Sequence, residues 1–125
     1  MAEPARPHVS CTVPARDEAG TLVELHERFA RSMRAEGWTY ELLIVDDGSE
    51  DATWEVVADL ARTHPEVGGL RHARPAGIME AIATGFRASR GEVLCVLDGD
   101  LESRPEELVA LIARASAGID MVSGA

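Results

Sequence analysis

Short apolar runs of β character alternate along this chain with longer stretches of helical periodicity, and that alternation restricts the fold more than any other feature. Residues 8–13 (HVSCTV), 40–45 (YELLIV), 67–72 (VGGLRH) and 93–97 (VLCVL) read as strands, the third weakened by two glycines, and 119–124 (IDMVSG) begins a fifth. Helical patterns fill the gaps. Thr21 to Glu36 opens on Thr21-x-x-Glu24, which fits a capping box, and places Leu22, Leu25, Phe29 and Met33 on one face. Asp51 can cap a second helix running to about His64, before Pro65, and Ile78, Ala81, Ile82, Gly85 and Phe86 mark a third from Ile78 to Ser89. Ser103-x-x-Glu106, with Pro105 in the first turn, starts a fourth that carries Leu108, Leu111, Ile112 and Ala115. Strands separated by helices pair in parallel through crossovers. The expected fold is therefore α/β, a mostly parallel sheet with helices on both faces, in which VLCVL is apolar on both sides and takes a central place.

In such a sheet ligands bind beyond the carboxyl ends of the strands. Three polar stretches fall there: PARDE (Pro14 to Glu18), DDGS (Asp46 to Ser49) and DGDLE (Asp98 to Glu102). Any one of them is explained by the liking of Asp, Gly and Ser for turns and helix caps. All three together point to a site. Two carboxylates on a tight turn, as in Asp98-Gly99-Asp100, can hold a hard divalent cation through oxygen and leave positions open for water and diphosphate oxygens. Gly99 keeps the space between them clear for a ligand to approach the backbone.

Charge narrows the partners. Twelve basic against twenty-two acidic side chains leave a net charge of −10, which repels nucleic acid and anionic membrane surfaces, although a cation standing between would let a phosphorylated small molecule bind. The chain has no lysine, so Schiff-base chemistry and a Gly-Lys phosphate loop are excluded. Cys11 and Cys95 each sit in an apolar run and read as small buried hydrophobes. No run approaches membrane-spanning length, and residues 1–10 lack a signal-peptide core; a single domain of residues 1–125 in the cytoplasm, at most in peripheral contact with the cytoplasmic membrane face, is expected. His8, His26, His64 and His72 lack ligand spacing and read as solvated, Trp38 and Trp54 as packing residues, and Arg71, Arg74, Arg87 and Arg90 as a solvated face.

The stretches VPARDE, IVDDGSEDAT, GIMEAIATGFRASRG and VLDGDLE, in this order and spacing from Val9 to Gly124, resemble the nucleotide-sugar-binding half of the family 2 glycosyltransferases, which have the Rossmann-like GT-A fold. The polyprenol-phosphate (dolichol-phosphate) sugar transferases are the subgroup they look most like. The resemblance implies that Pro14, Arg16 and Glu18 line a nucleotide pocket, with Arg16 where the family usually has an aromatic residue. It implies that Val45 and Asp47, with Asp46, contact the base, that Asp98 meets the ribose or the metal shell beside Gly99, and that Asp100 binds Mg²⁺ or Mn²⁺. Glu102 stands at a metal-proximal position often held by glutamine. The implied donor is a UDP- or GDP-sugar and the implied acceptor a polyprenyl phosphate, which needs no base because it is already an anion. The reaction would be displacement at the anomeric carbon with inversion. RPAGIM (Arg74 to Met79) departs from the family's Arg-Asn-x-Gly-Lys-Gly, and Asp17 replaces a usual asparagine. The acceptor-binding half is expected beyond Ala125, and no catalytic base can be named.

Two other classes share some of these features. Receiver domains are acidic and of similar length, but they place their acidic pair after the first strand and need a lysine. A truncated, catalytically silent nucleotide-binding domain acting through a partner would bind nucleotide without transferring sugar.

Overall fold

The computed structural model describes residues 6–116, and within it the expected alternation is present. Strand β1 (Val9–Ala15) leads to helix α1 (Leu22–Glu36), β2 (Tyr40–Asp47) to α2 (Thr53–Thr63), and β3 (Val67–His72) to α3 (Ile78–Ala88). β4 (Val93–Val96) is followed by a 3₁₀ turn (Pro105–Glu107) that runs into α4 (Leu108–Ser116). The expected fifth strand lies outside the described residues.

The strands form one wholly parallel sheet in the order β3-β2-β1-β4. Helices cover both faces. On one, α1, α2 and α4 pack together and bury Leu22, Leu25, Phe29, Met33, Val57, Leu60, Leu108 and Ile112 against Val9, Cys11, Val13, Leu42, Ile44 and Cys95 of the sheet. Phe29 meets Tyr40 edge-on at 5.4 Å between ring centroids. On the other face, among the described residues, α3 lies over β1, β2 and β3. It comes so close that a Cβ on Gly85 would stand 2.3 Å from the Thr12 side chain, so the helix can sit there only with glycine at that crossing.

β4 is last in the sheet order among the described residues, with Leu94 37% exposed. Two sequence expectations are corrected. Thr21 is the N-cap of α1 but forms no capping box: its hydroxyl donates instead to the carbonyls of Glu18 and Gly99. Ser103 does not cap the fourth helix either, since Arg104 occupies the N-cap and Pro105 starts a 3₁₀ turn.

Candidate functional site

The strand order reverses at β1, with β2 and β3 on one side and β4 on the other. Loops leaving β1 and β4 therefore diverge, and a crevice opens at their carboxyl ends, where open α/β sheets take their ligands. A cleft of ≈ 340 Å³ occupies that place. Pro14, Ala15, Arg16 and Glu18 line it from the β1 side, Asp98, Gly99 and Asp100 from the β4 side, and Asp47, Gly77, Ile78 and Ala81 close the remaining wall.

Four of the acids near this edge are engaged in holding the loops together. Asp17, at φ 55°, accepts from the amides of Glu50 and Asp51 at 2.9 and 3.3 Å, while its own amide donates to the Ser49 hydroxyl at 2.9 Å. Asp51 accepts from the Thr53 amide at 2.8 Å and from the Thr53 hydroxyl, whose oxygen in turn accepts from the Glu18 amide at 2.9 Å. The β1–α1 and β2–α2 loops are thereby laced to each other. Asp46 is fully buried: one oxygen accepts from the Ser49 amide at 3.0 Å, and the other has no hydrogen-bond partner among the described residues and lies 3.8 Å from Arg71 Nε.

Asp47 holds the third loop. Its carboxylate accepts from the amides of Ala76 at 2.8 Å and Gly77 at 2.9 Å, and its Oδ1 lies 2.8 Å from His72 Nδ1. Burial alone would raise this carboxyl, but the two amides and the imidazole outweigh it and hold Asp47 below the usual aspartate value. Directly beside it Gly48, at φ +70°, passes under Pro75.

The remaining carboxylates face the cleft. Glu18, Asp98 and Asp100 line it from two sides, with Arg16 as the one cation in its lining among the described residues. Burial raises the Glu18 carboxyl, and the negative charge of Asp100 raises it further. Asp100 also accepts from the Glu102 amide at 3.0 Å, which shapes the DGDLE turn, and Leu101 within that turn has φ 63°, a strained value for leucine. The turn is pinned to the start of α1 by the Thr21 bond to the Gly99 carbonyl, and the segment after it by Arg28, which grips Glu106 with two nitrogens at 2.9 and 2.6 Å.

The structure thus brings Pro14, Arg16, Glu18, Asp47, Asp98, Gly99 and Asp100 to one cleft and leaves Val45, Asp46 and Glu102 out of its lining. Val45 and Asp46 lie fully buried in β2, and Glu102 is exposed. None of the four histidines expected in solvent is freely exposed. His26 is 5% exposed and stacks at 4.2 Å on His64, and His72 bridges Asp47 and Thr84. Excess carboxylate, all of it hard oxygen donor, suits Mg²⁺ or Mn²⁺. No three acidic, histidine or cysteine side chains among the described residues already surround one ion position, so diphosphate oxygens and water would have to complete the shell around Asp98 and Asp100.

Residues 10–125 match the family described as glycosyl transferase family 2. A dolichol-phosphate mannosyltransferase of Pyrococcus furiosus is 34% identical over 116 residues, 93% of this chain and 32% of that protein. An undecaprenyl-phosphate 4-deoxy-4-formamido-L-arabinose transferase of Pseudomonas paraeruginosa is 37% identical over 115 residues, 91% of this chain and 34% of that protein. The chain spans about one third of the length of these curated relatives. A mannosyltransferase of Pyrobaculum calidifontis, solved in complex with GDP-Man and Mn²⁺, matches 77% of this chain and 28% of its own, with TM-score 0.65 and 28% identity. TarS of S. aureus in complex with UDP matches 88% of this chain and 31% of its own at TM-score 0.67; at 21% identity that is a likeness of fold alone.

Proposed function

The chain belongs to glycosyl transferase family 2 and has the GT-A fold, and on that premise we propose that its cleft binds a nucleoside-diphosphate sugar with a divalent cation. The sugar would pass to a polyprenyl phosphate with inversion. One observation carries this reading: Glu18, Asp98 and Asp100 converge on a cleft at the strand-order switch point, while the neighbouring acids Asp17, Asp46, Asp47 and Asp51 are engaged by the loops. The names of the polyprenyl-phosphate relatives and the GDP-Man and Mn²⁺ of the Pyrobaculum neighbour support the acceptor, the donor class and the cation.

In this reading Asp98 and Asp100 hold Mg²⁺ or Mn²⁺, which supplies charge that stabilises the departing nucleoside diphosphate. Glu18, its carboxyl already raised by burial and by Asp100, gains from that charge as well. Arg16 borders the space where phosphates would lie, and Pro14 with the wall from Gly77 to Ala81 bounds the nucleoside. A phosphate oxygen of the acceptor attacks the anomeric carbon from the face opposite the leaving group, and the bond from that carbon to the β-phosphate oxygen breaks. The acceptor oxygen carries no proton to be removed, so this step needs no carboxylate base.

Calorimetric titration with UDP and with GDP, each with and without Mn²⁺, tests the proposal beside an Asp100→Ala variant. Cation-dependent binding of one nucleotide, lost in the variant, is expected. A folded chain that binds neither overturns the reading.

A further inference from the structure

His72 ends β3 with its side chain 19% exposed, and both of its ring nitrogens are bonded. Nδ1 lies 2.8 Å from Asp47 Oδ1, and Nε2 lies 2.8 Å from Thr84 Oγ1. An ionised carboxylate can only accept, so Nδ1 carries the proton and donates to Asp47; with the ring neutral, Nε2 accepts from the Thr84 hydroxyl. The ring therefore ties the end of β2 to the second turn of α3 across the end of β3.

What Asp47 does next gives this bridge a consequence. The same carboxylate accepts from the amides of Ala76 and Gly77, the last two residues before α3, and Gly77, Ile78 and Ala81 are cleft wall. Ala76 and Gly77 are otherwise exposed, so the carboxylate is the anchor of that loop. An aspartate turns about two side-chain bonds, and the imidazole, itself held at its far nitrogen, removes that freedom. His72 is not part of the cleft lining; it borders a neighbouring hollow with Gly48, Ser49, Arg71 and Ala73.

We propose that His72 is a positioning residue of the donor cleft: clamped between Thr84 and Asp47, it orients the Asp47 carboxylate so that the Ala76–Gly77 backbone stands as a fixed wall beside the nucleotide. This rests on the donor-site reading above. It also assigns Asp47 a role the sequence did not suggest, as the holder of the wall, with one oxygen bordering the cleft still able to accept from a ligand.

The test compares His72→Phe, His72→Asn, Thr84→Val, Asp47→Ala and the Asp47→Ala/His72→Phe double variant, by nucleotide titration with Mn²⁺ and by amide hydrogen exchange. His72→Phe is expected to weaken nucleotide binding about tenfold and to speed exchange at Ala76 and Gly77 about tenfold, with the strand amides unchanged. His72→Asn, whose amide can take the place of Nδ1–H, recovers most of both, and Thr84→Val falls between. With Asp47→Ala already in place, His72→Phe adds less than twofold, because it acts through that carboxylate. Full additivity, no recovery by asparagine, or wild-type exchange at Ala76 and Gly77 in His72→Phe overturns the proposal. A wild-type chain that binds neither nucleotide removes the donor-site reading, and the exchange of Ala76 and Gly77 then decides by itself whether His72 holds the wall.

Discussion

Gly48 and Gly37 have almost the same backbone conformation, at φ 70° and 71°, and opposite surroundings, which makes them a matched pair for measuring how tightly the site loops are packed. At Gly37, the C-cap of α1, an added Cβ meets nothing within 4 Å. Gly37→Ala should cost only the left-handed strain of a residue with a Cβ, about 1–2 kcal/mol. At Gly48 the same atom would stand 2.5 Å from Pro75 N, 2.7 Å from Pro75 Cδ and 2.8 Å from the Arg74 carbonyl carbon. These are backbone and ring atoms with no rotamer to retreat into, so the 74–77 loop must withdraw. It is held by the Ala76 and Gly77 bonds to the Asp47 carboxylate, and hydrogen bonds to a charged group contribute about 1.5–3 kcal/mol each. Losing one of them on top of the strain puts Gly48→Ala at about 2.5–5 kcal/mol, a large share of the roughly 5–15 kcal/mol that stabilises a domain. Urea unfolding followed by circular dichroism reads both variants against wild type, with the slope m checked for constancy. A Gly48→Ala cost within about 0.5 kcal/mol of the Gly37→Ala cost would refute the close packing of the two loops, and with it the route by which Asp47 shapes the cleft.

Asp17→Asn keeps an oxygen for the Glu50 and Asp51 amides and a residue type that tolerates φ 55°; it should leave stability within about 0.5 kcal/mol and tighten nucleoside-diphosphate binding on the order of threefold by removing a negative charge, whereas Asp17→Ala should cost about 1–2 kcal/mol in urea. Glu18 has a raised folded-state pKa, so its favourable contribution is present below its unfolded value and is lost as pH rises through the folded one. Glu18→Gln should therefore stabilise the chain at pH 7, lose that advantage by about pH 4, and weaken cation-dependent nucleotide binding; an equal advantage at both pH values counts against the assigned cause. Burial raises the Cys11 thiol, with Cys95 beside it across the β1–β4 pair, so a thiol reagent should find neither cysteine in the native chain and both after denaturation.

The elements were legible because their signals are local. β3 has the bounds its sequence suggested despite Gly68 and Gly69, and these glycines have a tertiary reason: a Cβ at either would stand 2.9 Å from Leu43 Cδ2 or Val57 Cγ1. What failed were the two capping boxes, which assume a local partner. Thr21 and Glu24 have capping-box spacing, yet the Thr21 hydroxyl goes to a carbonyl seventy-eight residues away, at Gly99. Glu24 pairs with Arg28 at 3.1 Å instead.

The acids divide on the same principle. Asp17, Asp46, Asp47 and Asp51 are chemically the same residue as Asp98 and Asp100 and lie in the same kind of βα loop, so no composition or spacing separates loop holders from cleft acids. The separation comes from what each loop meets across the sheet edge: the first two βα loops meet each other and exchange amide bonds, while the DGDLE turn lies across the switch point from them, with the cleft between. His72 was missed for that reason too. Its signal is not spacing within its own strand but register: His72 and Asp47 are the last residues of adjacent parallel strands and are paired Cα to Cα. Two strand ends that align in a parallel ladder put their final side chains side by side, so a histidine ending one strand and an aspartate ending its neighbour make an ion-pair candidate once the register is known. A carboxylate placed there by register is then free to serve a loop that neither strand contains, which is how a residue invisible to sequence spacing comes to hold the wall of the cleft.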